Sequence, residues 1–488
     1  MSKSSIVTIP NPILKEKTQK VSFFALHSNA LKNQIEKMIA TLHKEGGVGL
    51  AANQIGFNNQ VITIELKRDD KNPDVEQIPL TVFINPEIVE YSKEKECFEE
   101  GCLSVPKIEL EIERPSSLKI RYENSKGRKI KSAPKGLLAR IIQHEIDHLN
   151  GILFVELAKK QFLQKNPKLK NLKILFLGSG EFASIILEGL IHLGLNLEIL
   201  TEKGKPAGRD KTIKLTPVAQ TATRFDKEYL EIEASQTSSK VNRGGELHGQ
   251  KRAERLDPIS SQGKSRSVLL TDVGERQYDL LICADFGQKI PELILNQAKI
   301  AAINIHPSLL PKYRGPSPIQ TVILRGGKTT GVSIIKMTNK IDEGPIYAQA
   351  EIDILPSDDY PTLRDRLATL GLKLLVKTLP DLINNKLRLI PQDSKKASVT
   401  KIFKKEDGQI NWKKKPQTID RQIRAFRIWP KSYTFIDNKR LIIHQAHLEN
   451  DRLVLDCVQL EGKKPVGFKE FLNGYKDPKP EWFEKISS

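Results

Sequence analysis

The sequence predicts a multidomain chain: an α+β unit first, a doubly wound α/β unit second, and a small β-barrel last. Three observations carry this. The 488 residues exceed what one hydrophobic core organises, so two to four domains are expected. At Leu172 the texture changes from scattered short strands and helices to long apolar strands separated by helices. From about residue 401 short strands with turn residues between them take over.

In the first unit, residues 1–165, the segments 61–65, 80–84 and 117–121 read as strands. Segments 30–44 and 135–150 carry apolar residues at helical spacing. They do not alternate as steady βαβ units, so α+β is the class. AKKQFLQKNPKLKN (158–171) is basic, is interrupted by Pro167, and reads as a linker, with its bounds placed at 166–171.

The second unit, 172–386, opens with LKILFLGSGEFASIILEGLIHLG: a buried strand, a Gly turn and an amphipathic helix. NLEIL (196–200), YDLLICAD (278–285) and AAINIHP (301–307) follow as apolar strands, the pattern of a parallel sheet covered on both faces. Residues 235–267 are Ser/Gly/Arg-rich with almost no periodic apolar content, and read as a disordered surface insertion. A basic RNA-binding arm is the alternative there. A helix near 361–386 leads through a second linker, 387–400, into residues 401–488. There SYTFI, RLIIHQA and RLVLDCV suggest the barrel, and 19 Lys/Arg stand against 12 Asp/Glu.

The net charge of +19 favours phosphate-rich partners, although a solvated Lys-rich surface would give the same number. No run of 18 apolar residues is present, so no membrane partner is expected. The N-terminal residues lack the apolar core of a secretory signal. Cys97, Cys102, Cys283 and Cys457 are too scattered for a disulfide framework, which fits a cytoplasmic location.

Chemistry concentrates first in QHEIDHLNG (143–151). His144 and His148, four apart, lie one above the other on a helix and can reach one metal, with Glu145 beside them as a proton carrier. The plain alternative is a polar helix face. A third ligand is available in EEGCLSVP (99–106): Cys102 as thiolate, or else a small buried hydrophobe. GVGLAANQIG (47–56) reads as a tight backbone turn carrying Gln54. Together the three segments resemble the peptide deformylases, whose signature is GxGLAAxQ, EGCLS and QHExDHLxG in this order. The resemblance covers about the first 165 residues. It implies a metal held by Cys102, His144 and His148, with Glu145 as general acid/base. It further implies an oxyanion hole of Gln54 and the Leu103 N–H, and close substrate approach at Gly49. The family prefers Fe(2+), with Zn(2+) and Ni(2+) also accommodated; a Cys/His/His shell suits zinc as well.

The second concentration is INIHPSLLPKYRGPSPIQ (303–320). Asn304 and His306 share one face of a strand and project at its carboxyl end, where open sheets bind ligands. NKIDEGPIY (339–347) offers Asp342 in a Gly/Pro loop. Singly, these read as a strand-end cap and a turn residue. As a set, they resemble the folate-dependent formyltransferases, with N-x-H, SLLPxxRG and D-x-G. Across 172–488 the closer resemblance within that group is to methionyl-tRNA formyltransferases. It rests on FLGSGEFA, KPAGRDKTIKLTPV (205–218) and DGQINWKKKPQTIDRQIRAFRIWP (407–430). That resemblance implies a Rossmann-like catalytic domain, an OB-like tRNA-binding barrel, and 10-formyltetrahydrofolate as donor. Asn304, His306 and Asp342 would be catalytic. Ser308, Arg314 and Gly315 would bind substrate or cofactor, and the Arg209 loop would approach the tRNA acceptor end. Two departures stand out: the 235–267 insertion, and a barrel abbreviated by a hairpin between HQAHLEN and DRLVLDC.

The combined expectation is a bifunctional enzyme acting on nascent formylated peptides at the ribosome and on initiator methionyl-tRNA. Rivals are a sugar-nucleotide acceptor for the second half and a non-catalytic docking module. GSGEFA also fits a dinucleotide fingerprint, but its acidic partner could only be Glu198, inside an apolar strand. Gly327-Lys328-Thr329 ends like a phosphate loop but has Val322 where the first Gly belongs.

Overall fold

The computed structural model describes residues 6–67, 77–207, 212–232, 265–268, 273, 276–474 and 486–487. The chain divides into two compact units, Met1–Asn171 with Glu188–Leu195, and Leu172–Leu187 with Asn196–Ser488.

In the first unit the strands are β1 (Gly49–Ala51), β2 (Val61–Leu66), β3 (Ile78–Tyr91), β4 (Lys95–Cys102), β5 (Val105–Pro115), β6 (Leu118–Glu123) and β7 (Lys129–Ser132). The helices are α1 (Asn29–Glu45), α2 (Gly136–Leu149) and α3 (Phe154–Lys165). An antiparallel sheet runs β1-β2-β3-β6-β7, and β4-β5 form a separate two-stranded ribbon. Strand side chains alternate. Val61 therefore packs with Met38 and Leu42 of α1, whereas Ile62 and Ile64 pack with Ala139 and Ile142 of α2. The start of α1 is capped by Ser28, whose hydroxyl accepts from the Leu31 N–H.

The expected linker at 158–171 is corrected. Residues 158–165 belong to α3, and Pro167–Asn171 form a short 3-10 turn. Sequence patterning missed α3 because its apolar residues gather at the start, where Phe154, Val155 and Ala158 are buried. Gln161 fastens α3 to β5, accepting from the Glu113 N–H and donating to the Glu113 carbonyl at 2.9 Å each.

The second unit contains β8 (Ile174–Gly178), β9 (Leu197–Glu202), β10 (Lys205–Ala207), β11 (Thr212–Lys214), β12 (Tyr229–Ile232), β13 (Ser265–Val268), β14 (Tyr278–Ala284), β15 (Ala298–His306), β16 (Thr329–Lys336) and β17 (Ile346–Asp353). Its main sheet runs β13-β12-β9-β8-β14-β15-β16-β17. The first six strands are parallel, and β16 and β17 add antiparallel. The strands expected from sequence, β8, β9, β14 and β15, are parallel as read, and the unread β16 and β17 make the whole sheet a mixed one. Strand order reverses between β8 and β14, the kind of crevice where such sheets bind ligands. Of the expected 235–267 insertion, residues 265–267 are strand β13, paired with β12; residues 235–264 lie outside the described residues. Arg209 also lies outside them.

The last part carries β18 (Ser432–Ile436), β19 (Lys439–Glu449), β20 (Arg452–Leu460), β21 (Val466–Gly467) and β22 (Ile486–Ser487). The strands run β18-β19-β20-β21, with β22 parallel to β20. Helix Pro416–Ala425 lays Ile419 and Ile423 on a core with Leu441, Ile443, Leu455 and Val458. The abbreviated connection is a direct two-residue turn. Asn450 and Asp451 both hold positive φ, 48° and 62°, the mirror-image turn geometry that matches strand twist. Among the described residues no helix is long and apolar enough to cross a membrane.

Two candidate active sites

The first site forms where α2 meets the tip of the β4-β5 ribbon. One ligand atom each from Cys102, His144 and His148 lies within 4.8 Å of the others. Cys102 Sγ is 3.1 Å from His148 Nε2. The His148 carbonyl accepts from Asn53 Nδ2 at 2.6 Å, tying the end of α2 to the turn after β1. His144 Nδ1 bonds the Glu100 carboxylate at 3.0 Å, which leaves its Nε2 for the shared centre. Glu100 is itself held by Arg114 Nε at 2.6 Å and Arg140 Nη1 at 2.7 Å, and Arg114 reaches Asp147 at 2.6 Å. This buried ion network welds the ribbon to α2.

The electrostatics follow from packing. Burial pushes the Cys102 thiol up, but the His148 and His144 imidazoles outweigh it and hold the thiol well below its ordinary range. Burial pushes the Glu145 carboxyl up to about 7, against the opposing pull of His144 and His148. For Glu100 burial again raises, yet His144 and Arg114 together bring it down to about 2. Glu145 Oε2 is buried and has no hydrogen-bond partner among the described residues.

Gln54 projects beside the sulfur. Its Oε1 accepts from the Ala51 N–H at 2.7 Å, which fixes the amide. Its Nε2 then donates toward Cys102 Sγ at 3.5 Å and Ser104 Oγ at 3.2 Å. Leu103 lies in the ribbon turn between Cys102 and Val105. A Cβ at Gly49 would meet Glu145 Oε1 at 2.3 Å, so the crowding at this glycine comes from the Glu145 carboxylate.

The second site lies at the carboxyl end of β15. Asn304 Nδ2 donates to Asp342 Oδ1 at 3.1 Å, and His306 Nδ1 faces Asp342 Oδ2 at 3.6 Å. His306 Nε2 donates to the Tyr313 carbonyl at 2.9 Å, which selects the ring orientation. Asp342 Oδ2 also accepts from the Gly315 N–H at 2.8 Å, with Gly315 at φ 99°. Asp342 itself sits at φ 54°, in the left-handed region that Asp and Asn tolerate better than other side-chain-bearing residues. Arg314 and Ser308 are both buried and engaged within the protein. The Arg314 guanidinium donates to Gln392 Oε1, and Ser308 Oγ donates to the Lys312 carbonyl at 2.7 Å.

Residues 3–162 match the family model for polypeptide deformylase, 172–379 that for formyl transferase, and 402–453 that for the formyl transferase C-terminal domain. A methionyl-tRNA formyltransferase of Staphylococcus aureus (strain MW2) is 32% identical over 327 residues, covering 62% of this chain and 96% of that protein. The chain belongs to the methionyl-tRNA formyltransferase family, behind a polypeptide deformylase domain. A methionyl-tRNA formyltransferase of Enterococcus faecalis is likewise 32% identical, over 328 residues, covering 62% of this chain and 96% of that protein. A solved class I type b peptide deformylase from Acinetobacter baumannii, with Met-Ala-Ser bound, is 39% identical. It covers 31% of this chain and 96% of that one, with a TM-score of 0.31.

The deformylase domain thus brings together Cys102, His144, His148, Glu145, Gln54, Leu103 and Gly49. The formyltransferase part brings together Asn304, His306, Asp342 and Gly315, with Arg314 one residue behind. Sequence reasoning missed Glu100, Arg114, Arg140 and Asp147. A charged residue in an otherwise alternating strand was the available signal: Arg114 stands in β5 after the inward residues Ile108, Leu110 and Ile112.

Proposed function

We propose that the chain removes the N-formyl group from formylmethionine at the start of nascent proteins and, in its second half, formylates initiator methionyl-tRNA. The observation that carries the first reading is the convergence of one thiolate and two imidazoles within 4.8 Å, beside a buried Glu145 with an unpartnered oxygen. The donor set fits a divalent ion: soft sulfur with two neutral nitrogens, and a carboxylate behind His144 to fix its tautomer. Fe(2+) is the proposed occupant, with Zn(2+) or Ni(2+) as substitutes. Such an ion supplies Lewis acidity toward the formyl group and water.

The protein's own groups do the rest. Gln54 Nε2, already aimed past the sulfur, and the Leu103 N–H donate to the oxygen that gains charge when the formyl carbon is attacked. Glu145, held near neutrality by burial, takes a proton from water and returns it to the departing amine. Gly49 leaves room for that carboxylate and for the substrate backbone.

In the second half the methionyl amine attacks the formyl carbon of 10-formyltetrahydrofolate. Its parent pKa of about 8 leaves a useful neutral fraction. Asn304 and His306 stabilise the tetrahedral oxyanion and Asp342 assists removal of the amine proton; the adduct collapses by breaking the bond from the formyl carbon to N10, and tetrahydrofolate leaves carrying that proton. Ser308, Arg314 and Gly315 shape the loop that receives the substrates, and the Arg209 loop meets the acceptor end. This reading treats 1–165, 172–386 and 401–488 as domains, the second Rossmann-like and the third an OB-like barrel that grips tRNA. It puts the enzyme in the cytoplasm, working near the ribosome.

A paired assay tests both halves on one polypeptide. Glu145→Ala should stop formate release from a formyl-Met peptide while leaving formyl transfer intact. His306→Ala should do the reverse. Loss of both activities from either change, in a folded protein, would refute two independent sites. Formylation of a sugar nucleotide but never of Met-tRNA would refute the acceptor.

A further inference from the structure

The stretch read from sequence as a linker, 387–400, is laced to both loops of the formyl-transfer site. Ile390 exchanges backbone hydrogen bonds with Ile346, at 2.9 and 2.8 Å. Farther along, the Ser398 carbonyl accepts from the Arg314 N–H at 2.8 Å, and the Thr400 N–H donates to the Arg314 carbonyl at 2.7 Å. Between these anchors stands Gln392. Its Oε1 accepts from Arg314 Nε at 3.1 Å and Nη2 at 2.9 Å. Its Nε2 donates to the carbonyls of Asp342 and Gly344, both at 2.7 Å.

This amide has one workable orientation. Arg314 offers only donors and the two carbonyls only acceptors, so a flip would oppose like groups on both sides. The bonds also close a ring. Gln392 holds Arg314; the next residue, Gly315, donates its N–H to the Asp342 carboxylate; and the Asp342 carbonyl returns to Gln392. Asp342 is therefore gripped at its main chain from one side and at its side chain from the other.

We propose that Gln392 is a positioning residue for formyl transfer, holding Asp342 in register with Asn304 and His306 from the segment that leads into the C-terminal part. This rests on the reading of Asn304, His306 and Asp342 as the reacting site. The Gln392 amide spends its hydrogen bonds on Arg314 and on the Asp342 and Gly344 carbonyls, so its loss should act on turnover and not on tRNA capture.

The test uses the full chain with Met-tRNA and 10-formyltetrahydrofolate, and deformylation of a formyl-Met peptide as the internal measure of intact protein. Gln392→Met, close in shape but apolar, should lower kcat for formyl transfer by about 10- to 100-fold, the range for displacing a reacting group by about 1 Å. KM for Met-tRNA should stay within about two-fold. Gln392→Glu keeps an acceptor for Arg314 but sets a second acceptor against both carbonyls, and should show the same kcat loss. That second variant settles the matter if the first fails to fold. An unchanged kcat in either folded variant, or a loss confined to KM, overturns the proposal. Asp342→Asn separates the two ideas. If it transfers formyl at the wild-type rate, the site reading fails; if it is inactive while Gln392→Met is normal, only the role of Gln392 fails.

Discussion

Gly49→Ala bears directly on the placement of Glu145 in the deformylase site. An alanine Cβ would stand 2.3 Å from Glu145 Oε1 and 2.9 Å from its Cδ, where ordinary contact starts near 3.4 Å. About 1 Å of relief is needed, and the mobile partner is the end of the Glu145 side chain and not a backbone atom. The strand around Gly49 cannot yield as easily, because β1 is paired to β2 through Ile64, Thr63 and Ile62. The carboxylate should therefore move, and a reacting group moved by about 1 Å costs about 100-fold in rate. That corresponds to about 2.7 kcal/mol of transition-state stabilisation. The three atoms nearest the new methyl all belong to Glu145, so metal content should be unchanged. The assay is formate release from a formyl-Met peptide, with bound metal measured on the same sample and formyl transfer as the control. A kcat/KM within about three-fold of wild type would refute the reasoning. So would a loss that tracks loss of metal.

Further outcomes follow from neighbouring features. Glu100→Gln should weaken metal retention about 10- to 100-fold in chelator competition, because His144 loses the carboxylate that orients it. The same change should lower stability by about 3 kcal/mol in denaturant titration, since Arg114 and Arg140 are left buried beside a neutral amide. A chelator should abolish formate release and leave formyl transfer at its starting rate, measured in one preparation. Asn450→Val should destabilise the C-terminal part by about 1–2 kcal/mol, read as a lower Tm, because a β-branched residue resists the left-handed turn between β19 and β20.

What could be read from sequence divides along physical lines. The pair His144 and His148 is legible because helical spacing alone puts them together. Asn304 and His306 are legible because strand alternation does the same. Cys102 is different. Its meeting with the helix depends on the β4-β5 ribbon, and residues 95–99 of β4 are exposed on both faces, so no apolar alternation announces a strand. The family resemblance supplied that ligand where periodicity was silent. The strand β16 was hidden for the opposite reason: residues 330–335 are all buried, so the direction of pairing leaves no trace in its pattern. The anchoring of 387–400 is invisible because it consists of main-chain and amide bonds to residues some 50 to 80 positions away. A short stretch without helical or strand periodicity reads as a connection however tightly it is tied.

The ribbon that delivers Cys102 has a thermodynamic corollary. Two strands by themselves are marginal in water. This pair keeps its place through α3 and through the Glu100–Arg114–Arg140 contacts. An ion gripping the sulfur at its tip and the imidazoles of α2 would bind only the docked arrangement, so occupancy and docking must reinforce one another. Amide protons of residues 95–115 should then exchange with deuterated solvent faster once the ion is stripped, while those of β2 and β3 keep their pace. The ribbon would thus report loading of the hydrolase as a change in its own breathing.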